Sequence, residues 1–316
     1  MNDKIAVLIP CYNEEKTIEK VIKDFKKELP EVKIYVYNNN SSDKTYEIAS
    51  SIEGVIVRNE YNQGKGNVVR RMFREVDADI YVMVDGDDTY PAEYVHKLIE
   101  PIKEKRADMT VGDRLSNGTY KNENKRKFHQ FGNNLVKNTI NLLFNNNLKD
   151  IMSGYRAFSK MFVKNVPILS SKFEIETEIT LAALDKKLRI EEIPIIYRDR
   201  PAGSVSKLNT IKDGYKVTKT ILKMYKDYKP RQFFFFIAFI LLVCGLIFGI
   251  PVLVEFAKTH YITKLPSAVL ATGFVMISAI ALQCGLILDT IVKANKEKYE
   301  LNLIRYEERE NAKKNN

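Results

Sequence analysis

Over its first ninety residues the chain alternates short apolar runs with stretches of helical polar–apolar spacing. Lys4 to Ile9 (KIAVLI), closed by Pro10, predicts a buried strand, and the pattern from about Glu15 to Leu29 predicts a helix. Further strands are expected at Lys33 to Tyr37, Val55 to Arg58 and Ile80 to Val84 (IYVMV), with helices at Lys44 to Ser51 and Gly66 to Glu75 between them. Strands separated by helices imply an α/β fold with a mostly parallel sheet and right-handed crossovers. Ligands of such sheets sit outside the carboxyl ends of the strands, so those ends are where chemistry is expected.

The pattern changes past residue 232. Phe233 to Val254 is 22 residues without a charge, and Leu265 to Leu288 is 24 more. Each can cross roughly 30 Å of hydrocarbon as a helix, and neither has the polar face of an ordinary core helix. Ten residues, Glu255 to Lys264, join them, which predicts a transmembrane hairpin with both ends on one side. Lys219, Lys223, Lys226, Lys229 and Arg231 precede the hairpin, Lys293, Lys296 and Lys298 follow it, and Lys258 and Lys264 lie in the connecting loop. Eight cations against two place both termini and the large N-terminal domain in the cytoplasm of a multi-pass cell-membrane protein.

Just before the hairpin, Ile211, Tyr215, Thr218, Leu222 and Tyr225 fall at helical spacing beside a stripe of Lys212, Lys216, Lys219, Lys223 and Lys226. Such a helix suits an anionic membrane surface, although a solvated helix packed on the domain would carry the same pattern. The expected organisation is a catalytic domain over 1–208, an interfacial helix over 209–231, a membrane hairpin over 232–290 and a charged tail over 291–316.

Composition narrows the classes. The 316 residues include 50 Lys and Arg against 40 Asp and Glu, a formal charge of +10. No nucleic-acid partner is expected, and the lipid bilayer is. Three cysteines, Cys11, Cys244 and Cys284, are too few and scattered for a disulfide framework or thiolate cage, and the three histidines have no zinc-binding spacing. The first apolar run is too short for a signal peptide, in keeping with a reducing compartment.

Four motifs fall at expected strand ends: Pro10-Cys11-Tyr12-Asn13-Glu14, Asn38-Asn39-Asn40-Ser41-Ser42-Asp43-Lys44-Thr45, Asn62-Gln63-Gly64-Lys65-Gly66 and Asp85-Gly86-Asp87-Asp88. Alone, the first three read equally well as turns and caps. The fourth is more telling, because three carboxylates in four residues repel one another unless a cation or solvent compensates. Asp85 and Asp87, two apart in extended chain, point the same way, and hard carboxylate oxygens suit Mg²⁺ or Mn²⁺.

Together and in this order the motifs resemble family 2 glycosyltransferases with the A-type nucleotide-diphosphosugar fold, over about residues 3–225. The resemblance implies that Pro10, Tyr12, Glu14, Asn38 and Lys65 serve the nucleotide-sugar, with Asp85 and Asp87 carrying the metal on its diphosphate. Asn38 stands where the family usually has an aspartate; an amide still donates and accepts hydrogen bonds but lacks the charge.

Further on, Gly112-Asp113-Arg114, Asp150-Ile151-Met152-Ser153-Gly154-Tyr155-Arg156, Phe173-Glu174-Ile175-Glu176-Thr177-Glu178 and Tyr197-Arg198-x-Arg200 through Lys207-Leu208 resemble the polyprenyl-phosphate branch, which is dolichol-phosphate mannose synthase-like. That likeness implies a UDP-sugar donor, glucose or N-acetylglucosamine, and undecaprenyl phosphate as acceptor. Arg114, Arg126, Arg198, Arg200 and Lys207 are the expected cations for the acceptor phosphate. Asp87 and Asp150 are the expected catalytic carboxylates, Asp150 orienting or deprotonating the acceptor. Glu174, Glu176 and Glu178 fit a helix N-terminus as readily as a substrate role.

Two alternatives carry the same early motifs. A processive polysaccharide synthase normally has Gln-x-x-Arg-Trp, and this chain has no tryptophan. A non-catalytic membrane binder of nucleotide sugars is the other. Whether the chain forms a homo-oligomer is left open by the sequence.

The charge asymmetry sets a topology that can be measured. A cysteine replacing Thr259 in the hairpin loop should react with an impermeant thiol reagent on intact cells. One replacing Asn311 should react only after permeabilisation; the opposite pattern overturns the orientation.

Overall fold

The computed structural model describes residues 3–116, 127–170, 175–198 and 221–315. Among the described residues seven strands form one sheet: β1 Ile5–Cys11, β2 Lys33–Asn38, β3 Val55–Asn59, β4 Ile80–Met83, β5 Met109–Asp113, β6 Arg156–Ser159 and β7 Ile190–Pro194. The helices are α1 Ile18–Glu28, α2 Thr45–Ser51, α3 Lys65–Glu75, α4 Val95–Lys103, α5 Lys127–Phe144, α6 Lys160–Asn165, α7 Ile175–Asp185, α8 Pro230–Thr259 and α9 Leu265–Asn315. The four strands expected from the apolar runs all form, with ends within two residues of expectation. β1 reaches Cys11 because its parallel register with β2 continues through Pro10 opposite Tyr37 and Cys11 opposite Asn38.

The sheet order is β3-β2-β1-β4-β6-β5-β7. It is a mostly parallel α/β sheet with one reversal: β6 runs antiparallel to both β4 and β5. That reversal positions the site. Arg156, the first residue of β6, lies opposite Met83 near the end of β4 and opposite Val111 of β5. The loop that precedes β6, Asp150 to Tyr155, is thereby delivered to the carboxyl edge where β1, β2 and β4 end.

Alternation along the strands fills two apolar layers. Val7, Ile9, Ile34, Val36 and Val82 face α1, α2 and α4, packing on Ile22, Phe25, Ala49 and Leu98. Ala6, Leu8, Tyr81, Met83 and Phe158 face α3, α6 and α7, packing on Met72, Phe73, Phe162 and Ile179. Phe158 is at the centre of the second layer, its ring 5.4 Å from Phe73 edge-on and 5.1 Å from Phe162.

The chain divides into two units, Met1–Thr210 with Tyr306–Asn316, and Ile211–Arg305. In the second, residues 221–228 are helical and α8 and α9 carry the two apolar stretches. Both helices are long and apolar enough to cross a membrane, and 11% of the most apolar stretch of each is buried. They meet at small residues: a Cβ on Gly245 would stand 2.9 Å from Val275 Cγ2, and one on Gly285 2.9 Å from Phe234 Cβ. Ser278 donates across the pair to the Ala238 carbonyl at 2.8 Å. Close approach through glycine and an interhelical hydroxyl bond are the usual means of joining helices that lipid surrounds. The charged residues past 290 continue α9 without a break. Of the expected lysine-striped helix, Lys223 and Lys226 are described, while Lys212, Lys216 and Lys219 lie outside the described residues.

Removing the Phe158 ring should test the second layer. Phe158→Ala should cost about 3–5 kcal/mol, the usual penalty for emptying a fully buried aromatic site. Thermal unfolding followed by circular dichroism measures it, and an unchanged melting temperature would contradict this packing.

Candidate active site

The carboxyl ends of β1 and β2 are tied to each other before they meet anything else. The backbone N–H of Asn13 donates to Ser41 Oγ at 2.9 Å, and the Ser42 N–H donates back to Asn13 Oδ1 at 2.8 Å. The Glu14 N–H reaches Thr45 Oγ1 at 2.8 Å, and the Lys44 N–H reaches Glu15 Oε2 at 3.1 Å. Asn39, 3% exposed, joins the next loop, giving its amide to the Glu60 and Asn62 carbonyls and accepting from the Gly64 N–H. Asn38 donates to Asn59 Oδ1 at 2.9 Å and accepts from the Ser41 N–H at 3.2 Å, which fixes the orientation of its amide. Pro10 is buried at the end of β1, and Tyr12, just past it, is 38% exposed.

β4 ends in Met83, which like the following Val84 is fully buried, and the chain then turns through Asp85-Gly86-Asp87-Asp88. The Gly86 carbonyl accepts from Thr17 Oγ1 at 2.7 Å, fastening the turn to the start of α1. Asp87 is 4% exposed and accepts from the Thr89 hydroxyl at 2.6 Å and its N–H at 3.3 Å. Asp88 turns outward to Lys20 at 2.7 Å. Asp85 pairs with Lys65 of α3, whose ammonium also meets Glu176 of α7 at 2.5 Å. Burial works against the Lys65 charge, but the two carboxylates more than restore it and raise its pKa.

The loop before β6 closes the other side. Asp150 takes a fork of bonds from Arg114, Nε to Oδ2 at 2.7 Å and Nη2 to Oδ1 at 2.9 Å, with the Arg114 N–H adding a third at 3.1 Å. Burial pushes the Asp150 carboxyl up, yet the Arg114 charge and its hydrogen bonds prevail and hold it below the ordinary range. Gly154 leaves room for Asp85: a Cβ there would collide with Asp85 Oδ2. Tyr90 accepts from the Gly154 N–H at 2.9 Å and from Arg114 Nη1 at 3.4 Å, so it joins this loop to the acidic turn. The Arg114 guanidinium also lies 5.4 Å from the centre of the Tyr197 ring.

The expected residues therefore fall into pairs. Lys65 meets Asp85, and Arg114 meets Asp150, although each pair joins segments far apart in the chain. Arg198 stands on acidic neighbours, Glu93 at 3.1 Å and Asp88 at 3.6 Å, and its N–H donates to the Thr89 carbonyl at 2.9 Å. Arg126, Arg200, Lys207 and Glu174 lie outside the described residues. Sequence reasoning passed over Tyr90 and Thr17, since a single aromatic or hydroxyl residue has no spacing to mark it.

Among the described residues no three His, Cys, Asp or Glu side chains gather as a metal cage. Asp85 and Asp87 nonetheless fit a divalent cation of the Mg²⁺ type, which takes one or two carboxylates and fills its shell with water and phosphate oxygens. Burial first, then the negative charges of Glu14, Asp85 and Asp87, push the Cys11 thiol well up from its usual value.

Comparison with known proteins identifies the family and the fold. Residues 6–166 match the family described as Glycosyl transferase family 2. The glycosyltransferase AglJ of Haloferax volcanii is 28% identical over 93% of this chain and 96% of its own. A UDP-N-acetylglucosamine–dolichyl-phosphate N-acetylglucosaminyltransferase of Methanococcus voltae is 28% identical over 71% of this chain and 97% of its own. Among solved structures, glucosyl-3-phosphoglycerate synthase of Mycobacterium tuberculosis with Mn²⁺, UDP-glucose and phosphoglyceric acid superposes with a TM-score of 0.55. That likeness covers 71% of this chain and 79% of the synthase at 20% identity, and it concerns the fold.

The Arg114–Asp150 pair makes a pH-dependent prediction. Asp150 has a depressed folded pKa, so its contribution to stability is present above its unfolded value of about 3.9 and is lost as pH falls through the folded value. Arg114→Met strands a buried carboxylate and should cost about 3–5 kcal/mol near neutrality. Burial alone then raises the Asp150 pKa, so the gap in melting temperature between variant and wild type should narrow as pH is lowered towards about 4. A gap independent of pH would contradict the pairing.

Proposed function

The chain belongs to glycosyl transferase family 2, and we propose that it transfers one hexose, with inversion, from a UDP-sugar to a polyprenyl phosphate of the undecaprenyl type. Glucose and N-acetylglucosamine are the proposed sugars, and the product is a lipid-linked donor for cell-envelope glycans. The observation that carries this reading is the coexistence of an acidic strand end, Asp85 and Asp87, with two membrane-length apolar helices in one chain. A lipid acceptor gives a transferase domain a reason to own a membrane anchor. The Methanococcus relative, named for UDP-N-acetylglucosamine and dolichyl phosphate, supports the same donor and acceptor classes. The proposed setting is the cell membrane, with both termini and the catalytic domain in the cytoplasm.

In this reading Tyr12, Asn38 and Glu14 hold the nucleoside at the ends of β1 and β2. Asp85 and Asp87 would hold a Mg²⁺ or Mn²⁺ ion, which would supply positive charge to the diphosphate leaving group. The Mycobacterium synthase, solved with Mn²⁺ and UDP-glucose, lends support to that cofactor class. Lys65, fixed between Asp85 and Glu176, adds a second positive charge beside the same carboxylate. Arg114, with Arg126, Arg198, Arg200 and Lys207, provides cations for the acceptor phosphate. A phosphate monoester has its second pKa near about 6, so the attacking oxygen is largely ionised at neutral pH. Asp150, kept ionised by Arg114, is a weak proton acceptor; its role is to aim the Arg114 fork.

Membranes containing the protein, supplied with labelled UDP-glucose, UDP-N-acetylglucosamine and GDP-mannose and then extracted with organic solvent, test the proposal. Label should enter the lipid fraction from a UDP-sugar; label appearing only in polymer or in water-soluble products rejects it. Asp87→Asn should keep the fold, since the amide oxygen can still accept from Thr89, yet lose roughly a hundredfold or more in rate. Full activity of that variant, or of wild type in EDTA, would remove the metal from the reading.

A further inference from the structure

Tyr90 is 4% exposed and is held by its ring, 5.6 Å from Tyr155 and 5.5 Å from Tyr197. Its oxygen receives two hydrogen bonds, from the Gly154 N–H at 2.9 Å and from Arg114 Nη1 at 3.4 Å. An amide N–H and a guanidinium N–H can only donate, so the phenol oxygen is the acceptor in both. The hydroxyl hydrogen is therefore unspent: among the described residues the Tyr90 oxygen makes these two bonds, and neither uses it. A buried donor left without an acceptor is costly.

The groups around that oxygen suggest what the hydroxyl meets. Gly154, one partner, packs against the carboxylate of Asp85, and Arg114, the other, carries Asp150. The hydroxyl thus stands between the acidic turn and the Arg114–Asp150 pair. Beside a guanidinium the favoured acceptor is an anionic oxygen. Burial pushes the Tyr90 pKa up, and although Arg114 works against this, the hydroxyl stays protonated at neutral pH.

The geometry points to Tyr90 as a substrate-binding residue that donates its hydroxyl hydrogen to a phosphoryl oxygen, belonging either to the acceptor phosphate or to the donor diphosphate. The inference rests on the transferase reading above and adds a residue to it. It also accounts for a tyrosine, in place of phenylalanine, within an otherwise aromatic cluster.

Tyr90→Phe keeps the ring contacts and removes only the oxygen. Two measurements on the full-length protein in detergent or nanodiscs separate the sources: calorimetric binding of UDP with Mn²⁺, and the KM and kcat for polyprenyl phosphate. A charge-assisted bond lost from one ligand should weaken that ligand by roughly tenfold to a hundredfold, with the other changed far less. A selective rise in the acceptor KM assigns the bond to the acceptor phosphate, and a selective loss of UDP affinity assigns it to the donor diphosphate. Unchanged values in both arms overturn the inference, as does a uniform loss of both accompanied by a lower melting temperature, which is the signature of a displaced loop. If Tyr90→Phe does not fold, Tyr90→His is measured instead. A ring N–H that retains the selective affinity supports the donor role, and equal loss in both arms removes it. Wild-type protein that neither binds UDP nor labels lipid withdraws the transferase reading itself, an outcome distinct from a functional wild type with an indifferent Tyr90→Phe.

Discussion

The Arg156 guanidinium has no exposed surface and spends its donors on neutral oxygens: the Ser153 carbonyl at 2.8 Å, the Ile151 carbonyl at 2.7 Å and Thr180 Oγ1 at 2.9 Å. Burial lowers its pKa to about 10, which leaves it charged at neutral pH. A cation in such a place is tolerated because hydrogen bonds to it are strong and leave none of its three nitrogens without a partner. The consequence is mechanical. Two carbonyls of the loop before β6 and one hydroxyl of α7 are pinned to a single planar group at the start of β6. The residues those segments carry, Asp150 and Gly154 on one side and Glu176 on the other, inherit fixed positions.

From that anchor the charges of the site follow in alternation. Glu176 meets Lys65, Lys65 meets Asp85, and Asp85 fits against Gly154; on the same loop Asp150 meets Arg114. Lys65 balances Glu176 and Asp85 together, Lys20 balances Asp88 and the Thr89 hydroxyl donates to Asp87, so the acidic turn stays ordered despite three carboxylates in four residues. Breaking one pair would strand a buried charge, which is why these contacts fix the loops relative to one another.

The turns at the strand ends store a second kind of constraint. Asn13, Asn40 and Asp88 all adopt left-handed backbone angles, with φ of 56°, 58° and 58°. Asn and Asp tolerate that region better than other residues with a side chain, because their short polar groups bond locally. Three such turns at the carboxyl edges of β1, β2 and β4 reverse the chain sharply. Backbone and side-chain groups therefore crowd towards one edge, the one proposed to hold the nucleotide.

Much of this protein is written locally. The apolar runs that became β1 to β4, the helices between them and the two membrane-length helices are contiguous, so their periodicity and length are readable without contacts. The motifs at strand ends could be placed for the same reason, because a parallel sheet fixes which end carries the ligand. Other features belong to the tertiary structure alone. Nothing in the order of residues announces that β6 runs antiparallel between β4 and β5, and that reversal brings Asp150 beside Arg114 and Gly154 beside Asp85. The sequence could propose Arg114 for a phosphate and Asp150 for a proton, but only packing gave them to each other. Tyr90 was invisible for the same physical reason. Its role depends on which groups already occupy its oxygen, and those come from residues 24 and 64 positions away.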